Sequence, residues 1–499
     1  METDTMISMN VRKLLTLIIS LAFTLSLCAC GGGGGGGGVG IAFNPATYSV
    51  AAGGSIPLSV TVTNTSDISV AWSVQEAGGG TVSPIGTYTA PGTAGTYHVV
   101  ATSNADTSRS AVATITVSAL ALGSGTTYSG VFANLSSMKA ARSNHTATLM
   151  TNGKVLIAGG LGSGGAAIAS AEFFNPAARA FGQFSSVGNM ATTRAYHSAT
   201  LLLNGKVLLT GGIDSNNAPL ASAELFDPAT NRFTATGAMK NARWLHTATL
   251  LANGKVLVAG GDASQGPGIE GGVPLAAAEI YDPVAGTFTP LTVAMINPRY
   301  SHTATLLNSG TVLLAGGQGT GGQKLPESEI FNPTTGTFAA TGSMMVDPTV
   351  DTGRWLFAAL LLRDGTVFVN GGDFGAQYGV NYLASAQVYD PVAGSYADLA
   401  AGSLMTYSRA HLAIALRADG IVLITGGIGS DMSDPNAIPP ADFLATAELF
   451  NATGRIFLPT GSLSSARANH TATSLPNGKI LVTGGNQGGS FLKSAEVYQ

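Results

Sequence analysis

Seventeen residues after each of seven arginines stands a pair of glycines, and this spacing limits what the 499-residue chain can fold into. The arginines are Arg142, Arg194, Arg243, Arg299, Arg354, Arg409 and Arg467. The pairs begin at Gly159, Gly211, Gly260, Gly316, Gly371, Gly426 and Gly484. Self-similarity at intervals of 49 to 58 residues is the mark of stacked supersecondary units, none of which hides its apolar surface alone. Eleven residues after each arginine a further glycine follows Asn, Ser or Asp, as in Asn204-Gly205. Pairs of this kind favour two-residue hairpin turns, because both residues accept positive φ. The segment His197-Ser-Ala-Thr-Leu-Leu should therefore pair with Lys206-Val-Leu-Leu-Thr. Both strands are apolar on both faces, as strands between stacked sheets are. Ser222-Ala-Glu-Leu-Phe226 reads as a third strand leaving through Asp227-Pro228, and a fourth centres on Phe233 and ends near Met239.

A four-stranded unit of about fifty residues with a double glycine resembles the Kelch repeat. The resemblance implies an all-β fold, a seven-bladed Kelch-type β-propeller over residues 126–499. The chain stops after the third strand of the seventh unit. The missing fourth strand is expected at 126–138, where Phe132 and Met138 keep the six-residue spacing of Phe233 and Met239. The ring would thus close through a blade shared by both ends.

Ahead of the repeats, residues 40–119 alternate apolar and polar positions in short runs, such as Ile56–Val62 and Val70–Val74. Ala71-Trp72-Ser73-Val74, Gly80-Thr81-Val82 and Gly86-Thr87-Tyr88 resemble bacterial Ig-like domains, which implies a small β-sandwich with Trp72 in its core. His98 stands alone in one of its strands and reads as a surface or packed residue. Residues 1–29 read as an export signal, with Arg12 and Lys13 before an apolar run too short to span a bilayer. Leu27-Cys28-Ala29-Cys30 resembles a lipobox, which implies lipidation of Cys30 and anchoring to a membrane through acyl chains. The segment 30–39 is then a glycine tether. No acidic residue follows Cys30, which by resemblance to lipoprotein sorting favours the outer membrane, on its periplasmic face or the cell surface.

Only 10% of the chain is charged and the net charge is −4. No basic stripe supports binding of nucleic acid. The two cysteines, Cys28 and Cys30, leave the propeller without thiolate ligands, nucleophiles or disulfides. Five of seven histidines, His145, His197, His246, His302 and His470, stand three residues after a repeat arginine. Phe357 and Leu412 fill that place elsewhere, so a packing role is expected rather than a metal ring. The arginines are expected to pair with third-strand acids Glu172, Glu224, Glu279, Glu329, Glu448 and Glu496, where the fifth unit has Gln387. Tyr196-His197 is similar to a copper-ligating stretch of galactose oxidase, but that radical chemistry also needs a cross-linked cysteine. No metal or other cofactor is expected. Asp431, Asp434 and Asp442 match no calcium-loop spacing.

The ligand-binding candidates are Tyr196, Trp244, Tyr300, Trp355 and His411, which follow the repeat arginines on one rim. Long loops leave the same rim at 262–272, 373–382 and 428–443. Aromatics among polar loops suit a glycan or peptide ligand. The expectation is a non-catalytic binding propeller at the cell envelope, and the alternative is a carbohydrate-active enzyme of mutarotase type.

Overall fold

The computed structural model describes residues 38–51, 55–91, 95–118, 130–178, 182–266, 272–344, 353–375, 382–399, 403–432 and 442–499. The export signal, Cys30 and most of the glycine tether lie outside the described residues. So do Asp434 and the central parts of the three long rim loops. Residues 39–499 form one compact unit.

From Arg142 onward the chain folds into antiparallel four-stranded sheets, each a simple meander. In blade 2 the strands are Ser198–Leu201, Val207–Thr210, Ala223–Asp227 and Arg232–Ala235. Ser198 lies opposite Thr210, and Glu224 opposite Ala235. Among the described residues seven sheets of this kind are present. The innermost strand of each touches that of the next, and the seventh touches the first. The seventh sheet takes its outer strand from the other end of the repeat region. Phe132–Asn134 pairs with Ala495–Tyr498, Phe132 against Tyr498, with the two rings 4.9 Å apart.

Burial follows from the stacking. The second strand of every blade is buried throughout. Leu208 and Leu257, for example, sit in clusters that join their own sheet to the next. The first strands differ from expectation: most of their residues are only half-buried, because one strand edge lines the central channel. There Ser198 Oγ donates to the His246 carbonyl and Thr200 Oγ1 to that of Ala248. These bonds tie neighbouring inner strands together.

The hairpin turns also differ from the two-residue form. Gly205 has φ 78° and its N–H donates to the Leu202 carbonyl, while the Leu202 N–H donates to Lys206. Asn204 does not take positive φ. Its Oδ1 instead accepts the Lys206 N–H at 3.1 Å. The turn is thus a three-residue loop with one left-handed glycine, and the asparagine serves as a side-chain acceptor.

The repeat arginines are at most 1% exposed. Arg194 Nη1 donates to the carbonyls of Gly211 and Ser222 at 2.9 and 3.1 Å, and Nη2 reaches Glu224 Oε1 at 2.8 Å. Glu224 in turn accepts the backbone N–H groups of Ala191 and Thr192, at the entry to the blade. Six blades carry this ion pair. In the fifth, Gln387 Nε2 donates to Asp398 Oδ1 at 2.8 Å. The second glycine of each pair crosses to the next blade, as Gly212 N–H does to the Arg243 carbonyl at 2.9 Å. Gly485 closes the cycle onto Arg142 at the same distance.

Residues 40–118 form a small sandwich around Tyr88, Val99, Ile115 and other buried side chains. Its largest sheet includes a parallel pair, Thr47–Ala51 with Ser110–Ser118. Trp72 packs only half-buried at the margin of that core, with its ring 5.8 Å from Phe43. His98 is not alone: its Nδ1 lies 2.5 Å from Glu76 Oε1, and its N–H donates to Oε2. The sandwich seats on the hairpin tips of the propeller, where Ser59 Oγ donates to the Leu203 carbonyl at 3.3 Å and Ile85 packs beside Leu202 and Leu203.

Removing residues 126–138 should abolish cooperative unfolding, because the seventh sheet would lose its outer strand and its anchor to the chain start. Thermal unfolding of the truncated protein that matches the intact chain would contradict this closure.

Candidate functional site

The five histidines are hydrogen-bonded to neighbouring blades. His145, His197, His246, His302 and His470 are buried. Each Nε2 meets a threonine hydroxyl of another repeat, from His470 to Thr425 at 2.8 Å to His145 to Thr483 at 3.1 Å. Their Nδ1 atoms have no hydrogen-bond partner. That arrangement places the single proton of a neutral ring on Nε2, since an unpaired lone pair costs less than an unpaired donor. Burial, followed by the field of the nearby guanidinium groups, holds four of them well below 6.5 and His246 down to about 3.

One residue earlier in each repeat lies a ring at the channel mouth. Asn144, Tyr196, Leu245, Ser301, Leu356, His411 and Asn469 all take φ between 51° and 55°. Their backbones join head to tail across the blades. Tyr196 donates to the Asn144 carbonyl, Leu245 to Tyr196, Ser301 to Leu245, His411 to Leu356, Asn469 to His411, and Asn144 back to Asn469. Around them arginine, glutamate and glycine recur nearly unchanged, while this ring carries five residue types. The sequence singled out only two of its members, Tyr196 and His411, as aromatic rim residues. The position two after the repeat arginine was the available signal for the other five.

Trp244, Tyr300 and Trp355 occupy the position before the ring and pair with the residue after the double glycine: Asp262, Gln318 and Asp373. The five candidates therefore fall into three sectors. Over blades 1–3, Trp244 is buried with Ala167, Ala195 and Ile213, its Nε1 donating to Ser264, and Tyr196 packs edge-on against it at 5.3 Å. In blades 4 and 5, Tyr300 is also buried, donating to Gln318 Oε1 at 2.5 Å. Burial and Asp262 push its hydroxyl up to about 12. Here too Lys324 Nζ lies 4.1 Å over the half-buried Trp355 ring. Burial raises the Asp373 carboxyl beside it, against the pull of Lys324. In blades 6 and 7, His411 Nδ1 meets Asn469 Oδ1 at 2.8 Å, and Asn469 Nδ2 donates to Asn486 Oδ1 at 3.0 Å.

At this mouth His197 Nε2 is hydrogen-bonded to Thr146 and the Tyr196 ring packs edge-on against Trp244, and among the described residues no three His, Cys, Asp or Glu side chains gather at metal-binding distance.

The histidines give the protein a definite acid sensitivity. The unfolded chain takes up protons near pH 6.5 that the folded rings refuse, so stability is complete above that pH and declines below it, towards the folded values. The melting temperature should fall steadily below about pH 6.5, and His246→Gln should make the fall shallower. A melting temperature that holds or rises on acidification would contradict the neutral buried rings.

Comparison with known proteins agrees with this architecture. A Kelch motif matches residues 194–240, which is blade 2 from its arginine to the residue after Met239. A fungal alcohol oxidase of the AA5 family, solved in complex with copper, is similar in structure, with a TM-score of 0.58 and 18% identity. The match covers 74% of this chain and 76% of that one. No curated protein sequence matches the chain. Motif and architecture together make the fold a Kelch-type β-propeller.

Proposed function

We propose that the chain is an exported, lipid-anchored protein of the cell envelope whose propeller binds a glycan or protein ligand without catalysis. Cys30 would carry the acyl chains, and the glycine run would hold the folded part off the membrane. Among these ligands a glycan fits best.

The observation that carries the reading is the divergence of the mouth ring. Seven equivalent backbone positions present different side chains in an otherwise repeated frame. Selection of a ligand needs such differences, whereas propeller stability does not. The ring and its flank offer half-exposed Tyr196, Trp355 and His411 with amide groups between them. Aromatic faces beside neutral hydrogen-bonding groups suit sugar rings, which have apolar C–H faces and hydroxyl rims. Trp244 and Tyr300 support this surface from below.

A second reading, a carbohydrate-active enzyme, draws on one observation. Asp373 is a carboxyl raised by burial beside a lysine lowered by burial, and such pairs serve proton transfer. The fold alone favours neither reading.

A glycan array followed by tryptophan-fluorescence titration tests the binding proposal. His411→Ala and Trp355→Ala should each weaken binding about tenfold or more, a loss of about 1.4 kcal/mol, with thermal unfolding unchanged. Binding that survives both substitutions, or an array without hits, would remove the mouth as a glycan site. Sugar turnover or anomerisation lost in Asp373→Asn would instead establish the enzyme.

A further inference from the structure

At the other end of the channel, between the sandwich and the hairpin tips, lies a cavity of about 830 Å³. That volume falls within the range of sites for drug-sized ligands. The sandwich supplies the half-buried Trp72 and Ile85, and the propeller supplies Leu306, Leu361 and Leu416. These apolar walls are not closed over by either partner. The sandwich seats on blades 2 and 3, through Ser59 to Leu203 and through Ile68 near Gly254. The cavity extends beyond that seat to Asn308 of blade 4 and Arg363 of blade 5.

The polar lining of the cavity is made of hydroxyls and amides with a single charged group, Arg363. Arg363 is the one ionisable side chain among its lining residues, and it is exposed at the edge. One Nη is held by the Ala418 carbonyl. Its acidic neighbour Asp419 is already ion-paired with Arg417 at 2.9 Å, so the guanidinium charge is not neutralised in a bidentate pair. Asn253 Oδ1 accepts the Lys255 N–H at 3.1 Å, and its NH₂ can donate to a ligand. Trp72 offers its ring to the cavity, while its Nε1 is buried away from the surface.

We propose that this cavity binds an amphiphilic organic anion, its alkyl or aryl body against Trp72 and the leucines and its single anionic group at Arg363. Charge selects the ligand class: one lining cation and no lining acid disfavour a cationic amphiphile and favour an anionic one over a neutral one. The site is distinct from the mouth ring and does not depend on what binds there.

The test uses the full-length chain in detergent-free buffer and two probes with the same aromatic body. One is 8-anilinonaphthalene-1-sulfonate, the other its uncharged counterpart N-phenyl-1-naphthylamine. The sulfonate should bind saturably at one site and receive energy from tryptophan. Of the three tryptophans, only Trp72 lines the cavity, so Trp72→Phe should remove most of that transfer, while Trp244→Phe and Trp355→Phe leave it. Arg363→Gln should weaken the sulfonate at least tenfold and barely change the neutral probe. Arg363 is exposed, so this variant should keep its melting temperature. Transfer that persists in Trp72→Phe, equal losses for both probes, or no saturable binding would overturn the proposal.

Discussion

A buried guanidinium organises each blade. Arg194 and its six equivalents reach the carbonyl of their own double glycine, the carbonyl that opens the third strand and, in six blades, a carboxylate within that strand. The carboxylate then gathers two backbone N–H groups from the entering chain. One charge pair thereby ties the entering chain to the paired second and third strands. Taking such a pair out of water is expensive, and good geometry with filled hydrogen bonds only offsets it. Its return is geometric: the double glycine and the start of the first strand are held at a set distance, and the next blade bonds to that glycine.

From this frame the two ends of the channel acquire separate chemistry. At the arginine end, the chain must turn into the inner strand with one left-handed residue per blade, and six backbone hydrogen bonds link these residues around the mouth. Backbone bonds hold them, so their side chains are free to differ. At the hairpin end, the tips need only an acceptor such as Asn204 and one left-handed glycine. Their outward surface is available to the sandwich, whose seat on two blades leaves the cavity over the others.

Much of this was legible in the sequence because it recurs. The strand order, the ion pairs and the closing strand each follow from a spacing that seven copies repeat. The histidine bonds to threonine could be anticipated as a role but not as a partner, since the partner lies in a different repeat. The first strands read as buried on both faces because their composition matches that of the second strands, and only the channel separates them. Asn-Gly suggested positive φ at both residues, yet a side-chain acceptor bond gives Asn204 another use. Among the ligand candidates, the sequence did not separate buried rings from half-exposed ones. Trp244 and Tyr300 are buried packing residues, while smaller neighbours such as Asn469 reach the mouth network. Trp72 read as a core residue from its strand, and its margin position depends on where the sandwich meets the propeller, which no local pattern records.

The fifth blade offers the sharpest test of the buried pair. There Gln387 replaces glutamate, and Asp398, directly across the strand pair, supplies negative charge to Arg354, whose pKa burial still lowers to about 10. Glu224→Gln copies the first change in blade 2, and Ala235→Asp, at the register position opposite Glu224, copies the second. Urea unfolding of both forms measures the interaction. Glu224→Gln alone should cost about 3–5 kcal/mol, as expected when a buried charge loses its partner, and the double substitution should recover a large part of it. An unchanged midpoint for Glu224→Gln, or no recovery in the double variant, would contradict the claim that charge neutralisation at the buried arginine holds the blades together.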